Sequence, residues 1–208
     1  MSDPPTDPFE VRGQRVSLRL PHAGDAPRLF ELASDPEVTR FFSWGPYREE
    51  AEAAAWLETL PARRADGTAL ELAIVERDAG VIGITGVLEV SRRDRRAVVG
   101  TWVGREYWGT GANPESKALV AHLAFGPLWM ERLGAWADVR NPRSQHALER
   151  LGFVREGELR AFHRHGDERR DVVAYSLLRE EWEGTALAAS EVAFAGEPPA
   201  AFVCAERG

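Results

Sequence analysis

The sequence predicts a mixed α/β (α+β) domain, and three observations carry that expectation. Three apolar runs, Leu70 to Glu76, Val81 to Val90 and Ala97 to Val103, follow one another with only short turns between them, the spacing of an antiparallel meander. Segments with apolar residues at helical spacing lie before and after that block. A glycine-rich turn, Gly109 to Asn113, separates the third run from the next helix.

The chain, at 208 residues, is long enough for one domain with a sizeable core. Hydrophobic residues at 44% and charged residues at 28% argue against global disorder. A net charge of −7 gives no basic face for nucleic acid, and it suits a cationic amine as readily as a plain solvated surface. Cys204, the sole cysteine, excludes an intrachain disulfide and a cysteine-based metal site, so no metal is expected. The start is rich in Pro and Asp, unlike a signal peptide, and no run approaches the ~20 apolar residues of a membrane span. A cytoplasmic protein with no membrane partner is expected.

Residues 1–10 read as a flexible leader, 11–183 as one domain and 184–208 as a tail rich in Ala, Pro and Glu. Arg15 to Leu20 alternates as a half-buried strand does. Asp25 is placed to cap a helix carrying Leu29, Phe30 and Leu32, which Asp35-Pro36 breaks. Tyr47 opens an amphipathic helix through Trp56 and Leu57 that Pro61 ends. Arg77 to Gly80 and Arg92 to Arg96 are the turns of the meander. Asn113 to Phe125 has a helical stripe, and Arg132 to Val139 reads as a strand. Ser144 to Leu151 reads as a short helix closed by Gly152. Glu158 to Arg170 is polar and reads as a mobile hairpin or loop, and Val172 to Leu178 as the last strand. The tail is either disordered or draped over the body, with Phe194 and Phe202 favouring the second.

The most informative stretch runs from Val98 to Phe125. A strand ends near Val103, glycines at 109 and 111 permit unusual dihedrals and close approach, and a helix starts at once. Asn113 suits the N-cap and Pro114 the first helical position. Such a strand–loop–helix presents free N–H groups and the positive helix end to an anion such as a pyrophosphate. A P-loop would need Gly-Lys-Ser/Thr, but Lys117 stands too late. The dinucleotide fingerprint needs a third glycine where Pro114 stands.

Four stretches, taken in order, resemble the GNAT acetyltransferase superfamily in its RimJ/RimL-like (ribosomal-protein N-terminal acetyltransferase-like) branch. They are Asp35-Pro36-Glu37-Val38 with Phe42; Arg105 to Glu115; Asp138 to Ser144 running into Leu148 to Phe153; and Arg170 to Leu178 with Trp182. The resemblance covers roughly Val11 to Trp182. It implies a mixed, mostly antiparallel central sheet flanked by helices, whose middle strands splay to admit the pantetheine arm of acetyl-CoA. It implies that backbone groups of Trp102 and Val103 pair with the pantetheine. It places the pyrophosphate on Trp108, Gly109, Thr110, Gly111, Ala112 and Asn113, and Asn141 on the far side of the cleft. Glu106 occupies a position that often carries Gln or Arg, so Arg105 is the candidate cation there. A homodimer is compatible with the resemblance.

The implied reaction is direct attack of a neutral amine on the thioester carbonyl. It needs both reactants held in line, an oxyanion donor, a base for the amine proton and an acid for the leaving thiolate. The resemblance offers the Val103 N–H as oxyanion donor. Where many relatives carry an acidic Tyr, this chain has Leu148. Ser144 is the alternative donor to the sulfur, unless its hydroxyl caps the helix that follows. Glu89 is the first candidate base and Glu71 the second, with His163 and His165 as imidazole alternatives. Trp44, Tyr47 and Trp56 either wall the acceptor pocket or belong to the core. A protein or peptide N-terminal α-amine is the favoured acceptor. Small amines (aminoglycoside, polyamine, amino acid), a succinyl-CoA-type donor and a catalytically silent CoA-binding module are the alternatives.

Overall fold

The computed structural model describes residues 9–185 and 188–204. Two short strands, β1 (Glu10–Arg12) and β2 (Val16–Arg19), lead into helices α1 (Ala26–Ala33), α2 (Pro36–Thr39) and α3 (Glu50–Ala65). The meander follows as β3 (Ala69–Glu76), β4 (Gly80–Ser91) and β5 (Arg96–Val103). Then come α4 (Ala112–Phe125), β6 (Arg132–Asp138), α5 (Pro142–Arg150), β7 (Val154–His165), β8 (Glu168–Leu178), α6 (Arg179–Glu183) and β9 (Ala193–Ala195).

Among the described residues nine strands form one sheet in the order β7-β8-β6-β5-β4-β3-β2-β1-β9. Every pairing is antiparallel except β5 with β6. That parallel contact covers only Arg96↔Arg132, Ala97↔Leu133 and Val98↔Gly134. Beyond Val98 and Gly134 the two strands separate, so the sheet opens into a cleft at its centre, as the resemblance implied. One face packs on α4, whose Leu119, Val120 and Leu123 are buried with Leu72, Val87 and Val99. The other packs on α1 and α3, where Leu29, Leu57 and Leu60 meet Ala73 and Ile84. Among the described residues no helix is long and apolar enough to cross a membrane.

Several local expectations are corrected. Phe9 is buried and Glu10 already lies in β1, so the last two residues of the expected leader belong to the body, while residues 1–8 fall outside the described residues. Asp25 does not cap α1 with its side chain; the Arg19 guanidinium donates to both its oxygens at 2.7 and 2.8 Å instead. Helix α3 starts at Glu50 rather than Tyr47, with the Glu52 carboxylate accepting from the Glu49 N–H. It continues through Pro61, since burial of Leu57 and Leu60 outweighs one missing hydrogen bond near its end. Of the two readings of Glu158 to Arg170, the hairpin holds: His163 pairs with Arg170 and His165 with Glu168 across β7 and β8, with a bulge between Leu159 and His163. The last strand is β9, which pairs with β1 (Val11↔Phe194). Phe202 and Cys204 are buried, so the described part of the tail drapes over the body.

Candidate functional site

The cleft and the cavity beside it are products of strand register. Antiparallel pairs alternate between those that exchange hydrogen bonds and those that do not. The Gly104 N–H donates to the Ile82 carbonyl at 2.8 Å, which makes the neighbouring pair Gly83↔Val103 a non-exchanging one. The N–H and C=O of Val103 and, two residues earlier, of Thr101 therefore turn away from β4 toward the open cleft. Those of Trp102 turn toward β4, so the expectation that its backbone faces the cleft is corrected: the groups that face it are those of Thr101 and Val103. The Val103 carbonyl also accepts from the Trp108 indole N–H at 3.0 Å, which fixes Trp108 against the end of β5.

The turn after β5 is held from behind. Arg28 on α1 donates to the Val81 carbonyl (3.1 Å), to Glu106 (3.2 Å) and to the Tyr107 hydroxyl (2.8 Å). Arg105 pairs with Asp35 at 3.7 Å. The expected N-cap Asn113 is not the cap of α4. Gly111 is, in left-handed conformation at φ 94°, and Pro114 sits in the first turn, where an N–H has no intrahelical partner anyway. Gly109 is left-handed too, at φ 80°. A Cβ added at either glycine meets nothing within 4 Å, so open space borders the loop and the glycines serve the backbone conformation. Thr110 ties the loop together by donating to the Tyr107 carbonyl at 2.9 Å. Left-handed glycines running into a helix start beside open space fit the pyrophosphate of a nucleotide cofactor. One turn on, the Lys117 ammonium donates to Asn113 Oδ1 at 2.6 Å, and burial pulls it down to about 7.

The opposite wall is the start of α5. Asn141, not Ser144, is its N-cap: Asn141 Oδ1 accepts from the Ser144 N–H at 3.1 Å. The Ser144 hydroxyl is thereby released from the capping role. The helix ends as expected, with the Gly152 N–H donating to the Glu149 carbonyl and the Phe153 N–H to that of Leu148. Arg143 lies over the Trp108 ring, 4.2 Å from its centre, so the two walls touch.

On the α1/α3 side of the sheet lies a cavity of about 490 Å³. Register explains its floor. Glu71, Gly86 and Gly100 stand opposite one another across β3, β4 and β5, so two missing side chains leave room beside a carboxylate. The flanking rows are Ala73, Ile84 and Trp102 on one side and Ala69, Leu88 and Val98 on the other. Trp44, Tyr47 and Trp56 line the cavity and are half-buried, so they are walls rather than core. Trp136, Asp138 and His163 enter from β6 and β7. His165 bonds through Nδ1 to the Phe42 carbonyl, holding the hairpin to the loop above the cavity.

Both candidate carboxylates border this space. Glu71 is 7% exposed; one oxygen meets Arg63 at 2.5 Å and Oε2 is buried with no hydrogen-bond partner. Burial pushes its carboxyl up, against the opposing charge of Arg63. Glu89 is exposed at the rim, turned there by a bulge between Leu88 and Ser91 at which its φ is 50°. Asp138 is buried, and burial raises it, but hydrogen bonds from Arg140 outweigh that and hold it below the ordinary range.

Residues 15–154, more than half of the chain, match the Acetyltransferase (GNAT) domain family. The chain belongs to the GNAT acetyltransferase family. It is 30% identical to the protein named ribosomal N-acetyltransferase YdaF of Bacillus subtilis (strain 168), over 82% of this chain and 95% of that one. It is 29% identical to the uncharacterized N-acetyltransferase p20 of Bacillus licheniformis, over 82% and 97%. A crystal structure of an acetyltransferase from T. thermophilus superposes with a TM-score of 0.73 at 36% identity, covering 88% of this chain and 95% of that chain. The name of the B. subtilis relative agrees with the RimJ/RimL-like resemblance.

This GNAT acetyltransferase is therefore an acetyl-CoA-dependent N-acetyltransferase. Acetyl-CoA supplies an activated acetyl thioester. The sequence reading of this GNAT chain missed Gly86, Gly100 and Trp136. The signal for the glycines was in view, since a glycine inside an alternating strand marks a close approach or a space, but only register shows that both align with Glu71.

Proposed function

We propose that the protein transfers the acetyl group of acetyl-CoA directly to a primary amine seated in the cavity over Glu71. The observation that carries this reading is adjacency: Val98 and Trp102 of β5 line the cavity, while the free edge of the same strand borders the cleft. An amine and a thioester can thus approach from the two sides of one strand. The N–H groups around Gly109 to Asn113 bind the pyrophosphate. The backbone of Thr101 and Val103 aligns the pantetheine, and the Val103 N–H donates to the developing oxyanion. Asn141 and Ser144 border it opposite, and the Ser144 hydroxyl donates its proton toward the departing sulfur. Glu89, with Glu71 behind it, takes the proton that the attacking amine loses. The nitrogen gains the acetyl carbon, the carbon–sulfur bond breaks and coenzyme A leaves as the thiol. The machinery lies within the domain 11–183, with the tail sewn onto its edge.

Titration calorimetry with acetyl-CoA, using succinyl-CoA and ATP as controls, tests the donor. Mass spectrometry of an amine panel, including peptide N-termini, tests the transfer. Selective acetyl-CoA binding with an acetylated amine is expected. Binding without transfer to any amine would favour the silent CoA-binding module instead.

A further inference from the structure

The walls and floor of the cavity differ sharply in chemistry. Its wall carries Phe42, Trp44, Tyr47 and Trp102, with Trp44 at the centre: ring centres lie 5.4 Å to Phe42, 5.4 Å to Tyr47 and 5.6 Å to Trp102. All four rings keep part of their surface open. A flat apolar body placed against them buries that surface and gains edge and offset ring contacts. The floor holds one carboxylate, Glu71, more than nine-tenths buried, with Oε2 unpartnered. An orphaned buried carboxylate oxygen is costly, and an ammonium or amine N–H is the donor that removes the cost.

Neighbouring charges narrow the choice. Asp138, the other buried carboxylate on the cavity, has both oxygens taken by Arg140 at 3.0 Å. A polyamine brings further ammonium groups, which would meet the Arg63 guanidinium on the same cavity and find only rim-exposed Glu89 as a further unpaired carboxylate. An extended peptide brings backbone donors and acceptors, and the loop above the cavity cannot easily lift for it. That loop is tied to the β7–β8 hairpin by His165 at Phe42 and by Arg170 donating to the Arg40 carbonyl at 2.7 Å.

We propose that the acceptor is a primary amine carried on a flat apolar body, of the arylalkylamine kind, with its nitrogen at Glu71 and its ring against Trp44 and Trp102. This deepens, and rests on, the acetyl-transfer reading. Burial pushes the Glu71 carboxyl up although Arg63 already pairs with one of its oxygens, and an ammonium at the second oxygen acts in the same sense as Arg63, so amine and carboxylate stabilise each other's charge. The ammonium then passes one proton to the Glu71–Glu89 carboxylates, and the neutral amine attacks.

The test compares phenethylamine and tryptamine with spermidine and a seryl peptide, each with acetyl-CoA and the full chain. The arylalkylamines are expected to exceed the other two in kcat/KM by about tenfold or more. Quenching of tryptophan fluorescence reports amine binding without acetyl-CoA. There 2-phenylethanol, the neutral isostere, is expected to bind about tenfold more weakly than phenethylamine. Glu71→Gln is expected to raise KM for phenethylamine about tenfold while acetyl-CoA affinity stays unchanged. Should that variant not fold, the amine–alcohol comparison on the unaltered protein decides. Spermidine or the seryl peptide serving equally well, or the alcohol binding as tightly as the amine, overturns the inference and leaves acetyl transfer intact. No acetyl-CoA binding and no transfer to any amine overturns the function reading, and this one with it.

Discussion

Glu71 on β3 stands directly opposite Gly86 on β4, and Gly86 directly opposite Gly100 on β5. The cavity over Glu71 opens where this row carries glycine at two of its three positions. The two glycines differ in what they tolerate. A Cβ on Gly86 would meet the Leu70 carbonyl oxygen at 2.1 Å, a backbone atom that cannot yield. A Cβ on Gly100 would meet only Leu88 Cδ1 at 2.9 Å, the far end of a flexible side chain.

Gly100→Val is therefore expected to fill the cavity without unfolding the sheet. KM for the acceptor should rise about tenfold or more, with acetyl-CoA affinity unchanged, as expected of a loss confined to amine binding. Steady-state kinetics in both substrates, with calorimetry for acetyl-CoA, check this. A parallel loss of acetyl-CoA affinity would mean that cavity and cleft are not separable.

Gly111 tests the other site. Its φ of 94° is costly for any residue with a Cβ, although the space beside it is open. Gly111→Ala is expected to cost about 1 kcal/mol in stability through strain alone. It should weaken acetyl-CoA binding as the loop N–H groups move, and Gly111→Trp should abolish it by obstructing the loop. Calorimetry on folded variants reads this; unchanged affinity in both would remove the loop from the cofactor site.

Asn141 and Ser144 separate capping from chemistry. Asn141→Ala is expected to destabilise the protein by about 1 kcal/mol, since it removes the acceptor for the Ser144 N–H. Ser144→Ala should leave the unfolding midpoint nearly unchanged and lower kcat more than acetyl-CoA affinity. Urea unfolding beside steady-state kinetics distinguishes the two. A stability loss from Ser144→Ala equal to that from Asn141→Ala would return Ser144 to a structural role.

Asp138 provides a test against pH. Its carboxyl is held below the ordinary value of 3.8, so the unfolded chain takes up its proton first as pH falls. Its contribution is fully present above 3.8 and is lost as pH drops through the lower folded value. Asp138→Asn is expected to cost about 2 kcal/mol at neutral pH, the worth of charge-assisted hydrogen bonds at a buried site. That difference should shrink steadily below the unfolded value. Urea midpoints of both proteins across that range check the slope, and a constant difference would sever the link to Arg140.

Much of the architecture was legible along the chain because it is local. The meander follows from three apolar runs and their short turns, the end of α5 from Gly152, and the left-handed turn before α4 from Gly109 and Gly111. Local rules also misplaced one cap and left a second open. Asn113 and Ser144 have cap chemistry, but Gly111 and Asn141 are the residues whose backbones leave the helix axis. Pro61 likewise reads as a helix end, and only the burial of Leu57 and Leu60 on the sheet carries α3 past it.

The sequence by itself determined the fold class, the family and the glycine-rich turn ahead of α4, because periodicity, turn residues and motif order are properties of neighbouring positions. Tertiary structure alone decided the cavity over Glu71. Glu71, Gly86 and Gly100 lie far apart along the chain and become one row only through the register of three strands. Trp44 joins them from a loop, and Trp136 from a strand that diverges from β5. No rule of spacing links such residues, since register is set by the burial of whole strand faces and not by any segment alone.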